Sequence, residues 1–278
     1  MTVELLIISD THLAPDHRAA GANWEAVVRH VAAEPPHAVI HLGDLTVDGC
    51  DDLGHLRHAR RHLDRLAVPW FAIPGNHDLG DNPLEGRASR STITEDRRAR
   101  WLGEIGPDRW SFELDGWTVL AINAQLLGSG LPAEAEQWSW FDDQLGTLSS
   151  GQAVVLATHK PLLAPGPELA TAPLHRFSPA GAADRLMETL DRFPGGLVMS
   201  GHVHQYRVLD IDGRRHLWVP STWATLPDAT QPVFGFKRTG AVAVHLGPAG
   251  PARASLVEPP GLSQGTIGVD VADPYTHR

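Results

Sequence analysis

Cysteine is nearly absent: Cys50 stands alone among 278 residues, which excludes an intramolecular disulfide and fits a reducing compartment, so the cytoplasm is the expected location. No export signal is expected either. Met1-Thr2-Val3-Glu4 carries no basic region, and the apolar stretch behind it is too short for a signal core and runs straight into Asp10. Nowhere do the roughly 18 uninterrupted apolar residues of a membrane-spanning helix occur. Basic runs are lacking too: 23 Lys and Arg face 33 Asp and Glu, for a net charge of −10. A nucleic-acid polymer is not an expected partner, because neutralising its phosphates needs clustered cations. No internal repeat is visible.

What is present is a set of short apolar runs, each ending in residues that carry chemistry. Residues 5–9 lead into Asp10-Thr11-His12, residues 38–42 into Gly43-Asp44, and residues 70–74 into Gly75-Asn76-His77-Asp78. Residues 153–158 lead into His159, and residues 196–200 into Gly201-His202-Val203-His204. Such runs, bounded by turn residues, read as strands. Ligands of open α/β sheets gather beyond the carboxyl ends of strands, so these separated segments are expected to converge on one spot. With 42% hydrophobic residues the chain can bury a large core. The candidates run from Asp10 to His204, so a split into halves would break the site. One domain over residues 1–247 is expected, with an appendage over 248–278 that packs on the body or extends from it.

Between the runs, helical spacing predicts helices over residues 22–33, 51–66 and 133–145. Residues 79–108, rich in arginine (Arg87, Arg90, Arg97, Arg98, Arg100), read as a loop and one helix, the arginines forming a solvated face, with contact to a substrate phosphate as the alternative. Asp115-Gly116 and Asp212-Gly213 each sit between strand-like segments and predict hairpins. Residues 161–179, with five prolines, read as an ordered loop beside the site. Ser178 is the expected N-cap, with Pro179 in the first turn, of a helix reaching Phe193. Residues 241–246 and 252–257 add two strands, and residues 258–278 show no periodicity. The order suggests an α/β (α+β) fold of two facing mixed sheets with helices outside.

Asp10 and His12 flank one residue, so on an irregular loop both can turn to the same cation, and carboxylate with imidazole suits a borderline divalent metal. The two oxygens of Asp44 could bridge two ions. An Asn76 amide oxygen can ligate without adding charge. His77 is better placed as a general acid than as a ligand, with Asp78 expected to hold its tautomer. His202 and His204 could point to different ions, and His159 adds a further imidazole. In isolation, Asp10-Thr11-His12 and Gly43-Asp44 also read as ordinary strand ends and turns.

As a set, these blocks resemble the calcineurin-like metallophosphoesterases, with D-x-H, G-D, G-N-H-D/E, H and G-H-x-H in order over residues 3–219. The resemblance implies a four-layer α/β/β/α sandwich and a dinuclear centre. Asp10, His12, Asp44 and His204 would hold one metal, Asp44, Asn76, His159 and His202 the other, with Mn or Fe expected and Zn acceptable. Gly43-Asp44-Leu45-Thr46 is most similar to the bacterial class III cyclic nucleotide phosphodiesterases. The protein phosphatase branch carries an arginine where this chain has Asp48-Gly49. Asn123 departs from the Asp or Ser of relatives. The implied reaction is hydrolysis of a small, cyclic nucleotide-like phosphodiester by a hydroxide held between the ions, with His77 as general acid. The alternatives are a phosphomonoesterase acting on a nucleotide or other small metabolite and, more remotely, a metal-free binding scaffold. Asn76, Asn123, His175, Arg176 and Trp223 are expected substrate contacts, the last three through stacking and charge. His55, His58 and His62 share a helix face with arginines and read as solvated surface, whereas His41 reads as buried behind the site.

Overall fold

The computed structural model describes residues 2–83, 92–149, 151–162, 174–193, 195–247 and 251–275. β1 (Val3–Ile8), β2 (Ala38–His41) and β3 (Trp70–Ala72) are linked by helices α1 (Arg18–Ala33) and α2 (Leu53–Leu63) and run parallel. A short turn of helix, α3 (Asn76–Leu79), and α4 (Glu95–Glu104) follow. β4 (Trp110–Leu114) and β5 (Trp117–Ala121) form an antiparallel hairpin across Asp115-Gly116, both at positive φ, as a tight turn of this type demands. α5 (Pro132–Gly146), β6 (Ala153–Ala157), α6 (Ala180–Leu190) and β7 (Leu197–Ser200) come next. The hairpin β8 (Arg207–Ile211) and β9 (Arg214–Trp218) then leads to β10 (Ala241–Leu246) and β11 (Arg253–Val257).

Two sheets result: one of five strands, ordered β11-β10-β1-β2-β3, and one of six, ordered β4-β5-β6-β7-β9-β8. Alternation along each strand sets the layers, because neighbouring side chains leave opposite faces. Leu5 and Ile7 of β1 face the other sheet, where they join Val119, Val155, Leu197 and Met199 in an apolar slab. Leu6 and Ile8, one residue out of phase, meet Trp24, Val27 and Val31 of α1 and Leu56 and Leu63 of α2. Leu120, Leu156 and Val198 cover Phe141 and Leu145 of α5 and Leu186 and Leu190 of α6. The architecture is the four-layer α/β/β/α sandwich.

Two local expectations change, and the tail takes one of its two expected courses. α6 starts at Ala180 with Pro179 at its cap and no side-chain cap bond, because the Ser178 hydroxyl donates to the Lys160 carbonyl instead. Arg97 and Arg98 are half-buried rather than solvated, Arg97 donating to the Cys50 carbonyl and Arg98 pairing with Asp108 at 2.7 Å, whereas Arg100 stays exposed while also reaching the Cys50 carbonyl. Arg87 and Arg90 lie outside the described residues. The segment past β11 folds back over the body: Ser263 and Asn23 exchange hydrogen bonds, Thr239 and Gln264 do the same, Thr225 pairs with Thr266, and Ile267 enters the core.

Candidate metal centre

Each parallel strand of the two sheets' inner region delivers its polar residues at its carboxyl end. Beyond β1 and β2 the pairing continues into the loops, with Asp10 N–H donating to Gly43 O at 3.0 Å and His12 N–H to Asp44 O at 3.1 Å. Asp10 (φ 52°), His12 (45°), Asp44 (54°), His202 (66°) and His204 (51°) all occupy the left-handed region, uncommon for residues other than glycine and concentrated at functional sites. That conformation turns each chain sharply at the strand end. Small neighbours make the crowding tolerable: a Cβ on Gly75 would lie 2.2 Å from Asp44 Oδ1, and one on Gly201 would lie 1.8 Å from Ser9 Oγ.

The seven candidate ligands come together across the seam between the sheets. His204 Nε2 lies 3.4 Å and His12 Nε2 4.0 Å from Asp10 Oδ1. Asp44 Oδ2 lies 3.9 Å from His12 Nε2 and 3.4 Å from His159 Nε2. His159 Nε2 in turn is 3.1 Å from His202 Nδ1 and 3.3 Å from Asn76 Oδ1. Two trios of potential donors thus form, Asp10–His12–His204 and Asp44–His159–His202, and Asp44 stands between them, also grouped with His12 and His77.

These groups fit divalent cations on physical grounds. Asp10 Oδ1 and His12 Nε2 are buried without a hydrogen-bond partner, and polar atoms so placed are costly unless something else satisfies them. Backbone carbonyls take the far ring nitrogens of the other imidazoles: Leu42 O lies 2.8 Å from His159 Nδ1, Ala224 O 2.7 Å from His204 Nδ1 and His175 O 3.3 Å from His202 Nε2. A histidine whose other N–H is held in this way presents a lone pair inward. Burial, reinforced by neighbouring imidazoles, holds His12 and His202 well below the usual histidine range, hence neutral, as ligation requires. Burial also works against a charge on His159, yet Asp44 beside it lifts its pKa to about 9. Asp44 thus favours a positive charge at His159, where a bound cation would take the place of the ring proton.

A cavity of about 260 Å³ opens over the trios, walled by His77, Asp81, His175, Arg176, Ile267 and Tyr275, among others. His77 Nδ1 lies 2.9 Å from the Val47 carbonyl, which sets its tautomer. Asp78 does not hold the His77 ring. Its carboxylate accepts from the N–H groups of Gly75, Leu45 and Thr46 and from the Thr46 hydroxyl, tying two loops together. Burial and the adjacent Asp44 push Asp78 up to about 6. Two expected substrate contacts lie elsewhere. Asn123 is fully buried, capping Gln125 and donating to Asp108, and Trp223 is buried behind His12, with ring centroids 5.1 Å apart. Both side chains are consumed by packing on the protein side of the strand ends. His175 and Arg176 do reach the cavity, and Arg176 Nε is buried without a partner. His41 supports the floor, meeting Thr11 Oγ1 at 3.0 Å and the Gly43 N–H at 3.1 Å.

Two polar residues of the cavity wall, Asp81 and Tyr275, fall outside the sequence expectations, as does Lys160, the partner of Asp81. Lys160, fully buried, pairs with Asp81; its place directly after His159 was the available signal. Tyr275 reaches the cavity from a segment without periodicity, and nothing in its surroundings along the chain marks it.

A family model described as Calcineurin-like phosphoesterase matches residues 3–206. The chain is similar to the 3',5'-cyclic adenosine monophosphate phosphodiesterase CpdA of Escherichia coli K12, with 29% identity over 79% of this chain and 76% of that protein. Among solved structures, a dimetal phosphatase from Danio rerio shares the fold at a TM-score of 0.58 and 14% identity, over 92% of this chain and 99% of that one. GAP50, the anchor in the inner membrane complex of Plasmodium, aligns at a TM-score of 0.62 and 14% identity, over 94% and 86% of the two chains.

Proposed function

The chain belongs to the calcineurin-like phosphoesterase family, and from that premise we propose that it hydrolyses a small phosphodiester of the cyclic nucleotide class with two divalent metal ions. The observation that carries the reading is the Asp44 carboxylate standing between two trios of donors. In this assignment Asp10, His12, Asp44 and His204 hold one ion, and Asp44, Asn76, His159 and His202 the other. The all-N/O set accepts Mn²⁺, Fe or Zn²⁺. When bound, such ions offset charge on phosphoryl oxygens and lower the pKa of water.

The protein's own residues supply the rest. Arg176, with its unpaired Nε in the wall, meets an anionic phosphoryl oxygen. Water attacks phosphorus and gives up a proton to solvent, the P–O ester bond breaks, and the departing alkoxide takes a proton from His77, which solvent then restores. The Val47 carbonyl accepts from Nδ1–H of that ring, so the acid is the doubly protonated imidazole, which gives its proton from Nε2 and becomes neutral. In a cyclic diester the leaving oxygen stays on the same molecule, so the product is one monoester. The small cavity and the similarity to CpdA favour such a substrate over a polymer. Among the described residues no helix is long and apolar enough to cross a membrane.

The test pairs elemental analysis with a panel of cyclic nucleotides, bis-para-nitrophenyl phosphate, para-nitrophenyl phosphate and nucleoside monophosphates. About two metals per chain and diester turnover are expected; activity confined to monoesters refutes the substrate class. In His77→Ala, turnover should fall about 10²- to 10⁴-fold with metal content unchanged. Loss of metal in that variant would make His77 a ligand.

A further inference from the structure

Tyr275 arrives at the cavity from the far end of the chain, 263 residues from its partner His12. Its hydroxyl lies 2.8 Å from His12 Nδ1, and its ring lies against His77 with centroids 4.9 Å apart. The placement is anchored. Ser263, Gln264 and Thr266 are hydrogen-bonded to the body at Asn23, Thr239 and Thr225, Ile267 is buried, and Ile267 pairs with Val271. Tyr275 lies beyond residues 3–206, which the family model covers.

The other three imidazoles of the trios are held through their far nitrogen by backbone carbonyls. His12 is held by a side chain instead. Its Nε2, unpartnered and 4.0 Å from Asp10 Oδ1, can ligate a cation only if the ring proton sits on Nδ1. A hydroxyl oxygen accepting from Nδ1–H stabilises that tautomer and orients the ring.

We propose that Tyr275 is a positioning residue that fixes His12 for metal binding, so that the C-terminal segment 262–275 is a working part of the metal centre. This rests on reading the trios as metal sites. Such an outer partner typically contributes 10- to 100-fold in metal affinity.

The experiment is equilibrium dialysis of the full-length protein against Mn²⁺ for wild type, Tyr275→Phe and Tyr275→Ala, with thermal melting of each metal-free protein. Tyr275→Phe keeps the ring and loses only the hydroxyl. It is expected to weaken one of two Mn²⁺ sites about 10- to 100-fold and leave the other site unchanged, in a metal-free protein that still melts cooperatively at a slightly lower temperature. Tyr275→Ala should weaken the same site at least as much. A wild-type titration by Tyr275→Phe overturns the proposal, even where Tyr275→Ala binds poorly, since the ring would then act by packing alone. Wild type binding no Mn²⁺ overturns both this proposal and the hydrolase reading. A weakened site in Tyr275→Phe, in a protein that cleaves no phosphodiester, supports the positioning role and refutes only the substrate.

Discussion

His216 on β9 is 4% exposed, and its Nε2 finds no hydrogen-bond partner. Burial, with Arg214 adding to it and Asp210 opposing, lowers its pKa to about 4. The folded protein therefore keeps this ring neutral where an unfolded chain, with a histidine pKa near 6.5, binds a proton. More protons on the unfolded state mean that stability rises with pH across that window and is lost as pH falls from about 6.5 towards 4. The contribution is about 2–3 kcal/mol. His216→Leu should melt no lower than wild type at pH 7 and lose about that much less on acidification, measured by urea midpoints from pH 7 to 4. Parallel losses in both proteins would refute the assignment. At this scale residue type told much about Asp10, Asp44 and His159, because a strand end exposes a polar residue to a shared crevice. It misplaced Asn123, Trp223 and the role of Asp78, because a side chain's direction off a loop is decided by the neighbours that fill the space.

The loops after β1 and β7 meet at van der Waals range. His202 N–H donates to Asp10 Oδ2 at 2.9 Å, and no room is left at Gly201. Gly201→Ala should push the two loops apart, cost about 1–3 kcal/mol by overpacking and weaken metal uptake. Gly21 of α1 has nothing within 4 Å of its would-be Cβ, so Gly21→Ala should stabilise by about 0.5–1 kcal/mol. Denaturant curves with metal titration check the pair, and equal effects would contradict the crowding. Strands and hairpins were legible because period-two alternation and Asp-Gly turns are local signals, as β1 and the β4–β5 and β8–β9 connections illustrate. The segment after β11 was not. It holds its place by bonds such as Ser263 to Asn23 and Tyr275 to His12, each made more than 200 positions away, and such pairings leave no periodic trace.

Across the whole molecule, the centre is assembled from both sheets: Asp10, His12, Asp44 and Asn76 follow strands of one, and His159, His202 and His204 strands of the other. A cation bound there clamps the layers together only in the native state. At free Mn²⁺ one hundred times Kd each site adds about 2.7 kcal/mol, which for a chain of this size raises Tm on the order of 10 °C with two sites filled. Chelation should reverse the shift, and a Tm indifferent to Mn²⁺ would argue against ligands drawn from both layers. The apolar filling between the sheets, from Leu5 and Ile7 to Val155 and Met199, thereby acquires a chemical duty. In the proposed assignment its thickness is the gauge that spaces one half of the candidate ligands from the other, so trimming a methyl group in that slab would retune the gap between them from a distance, with none of those side chains altered.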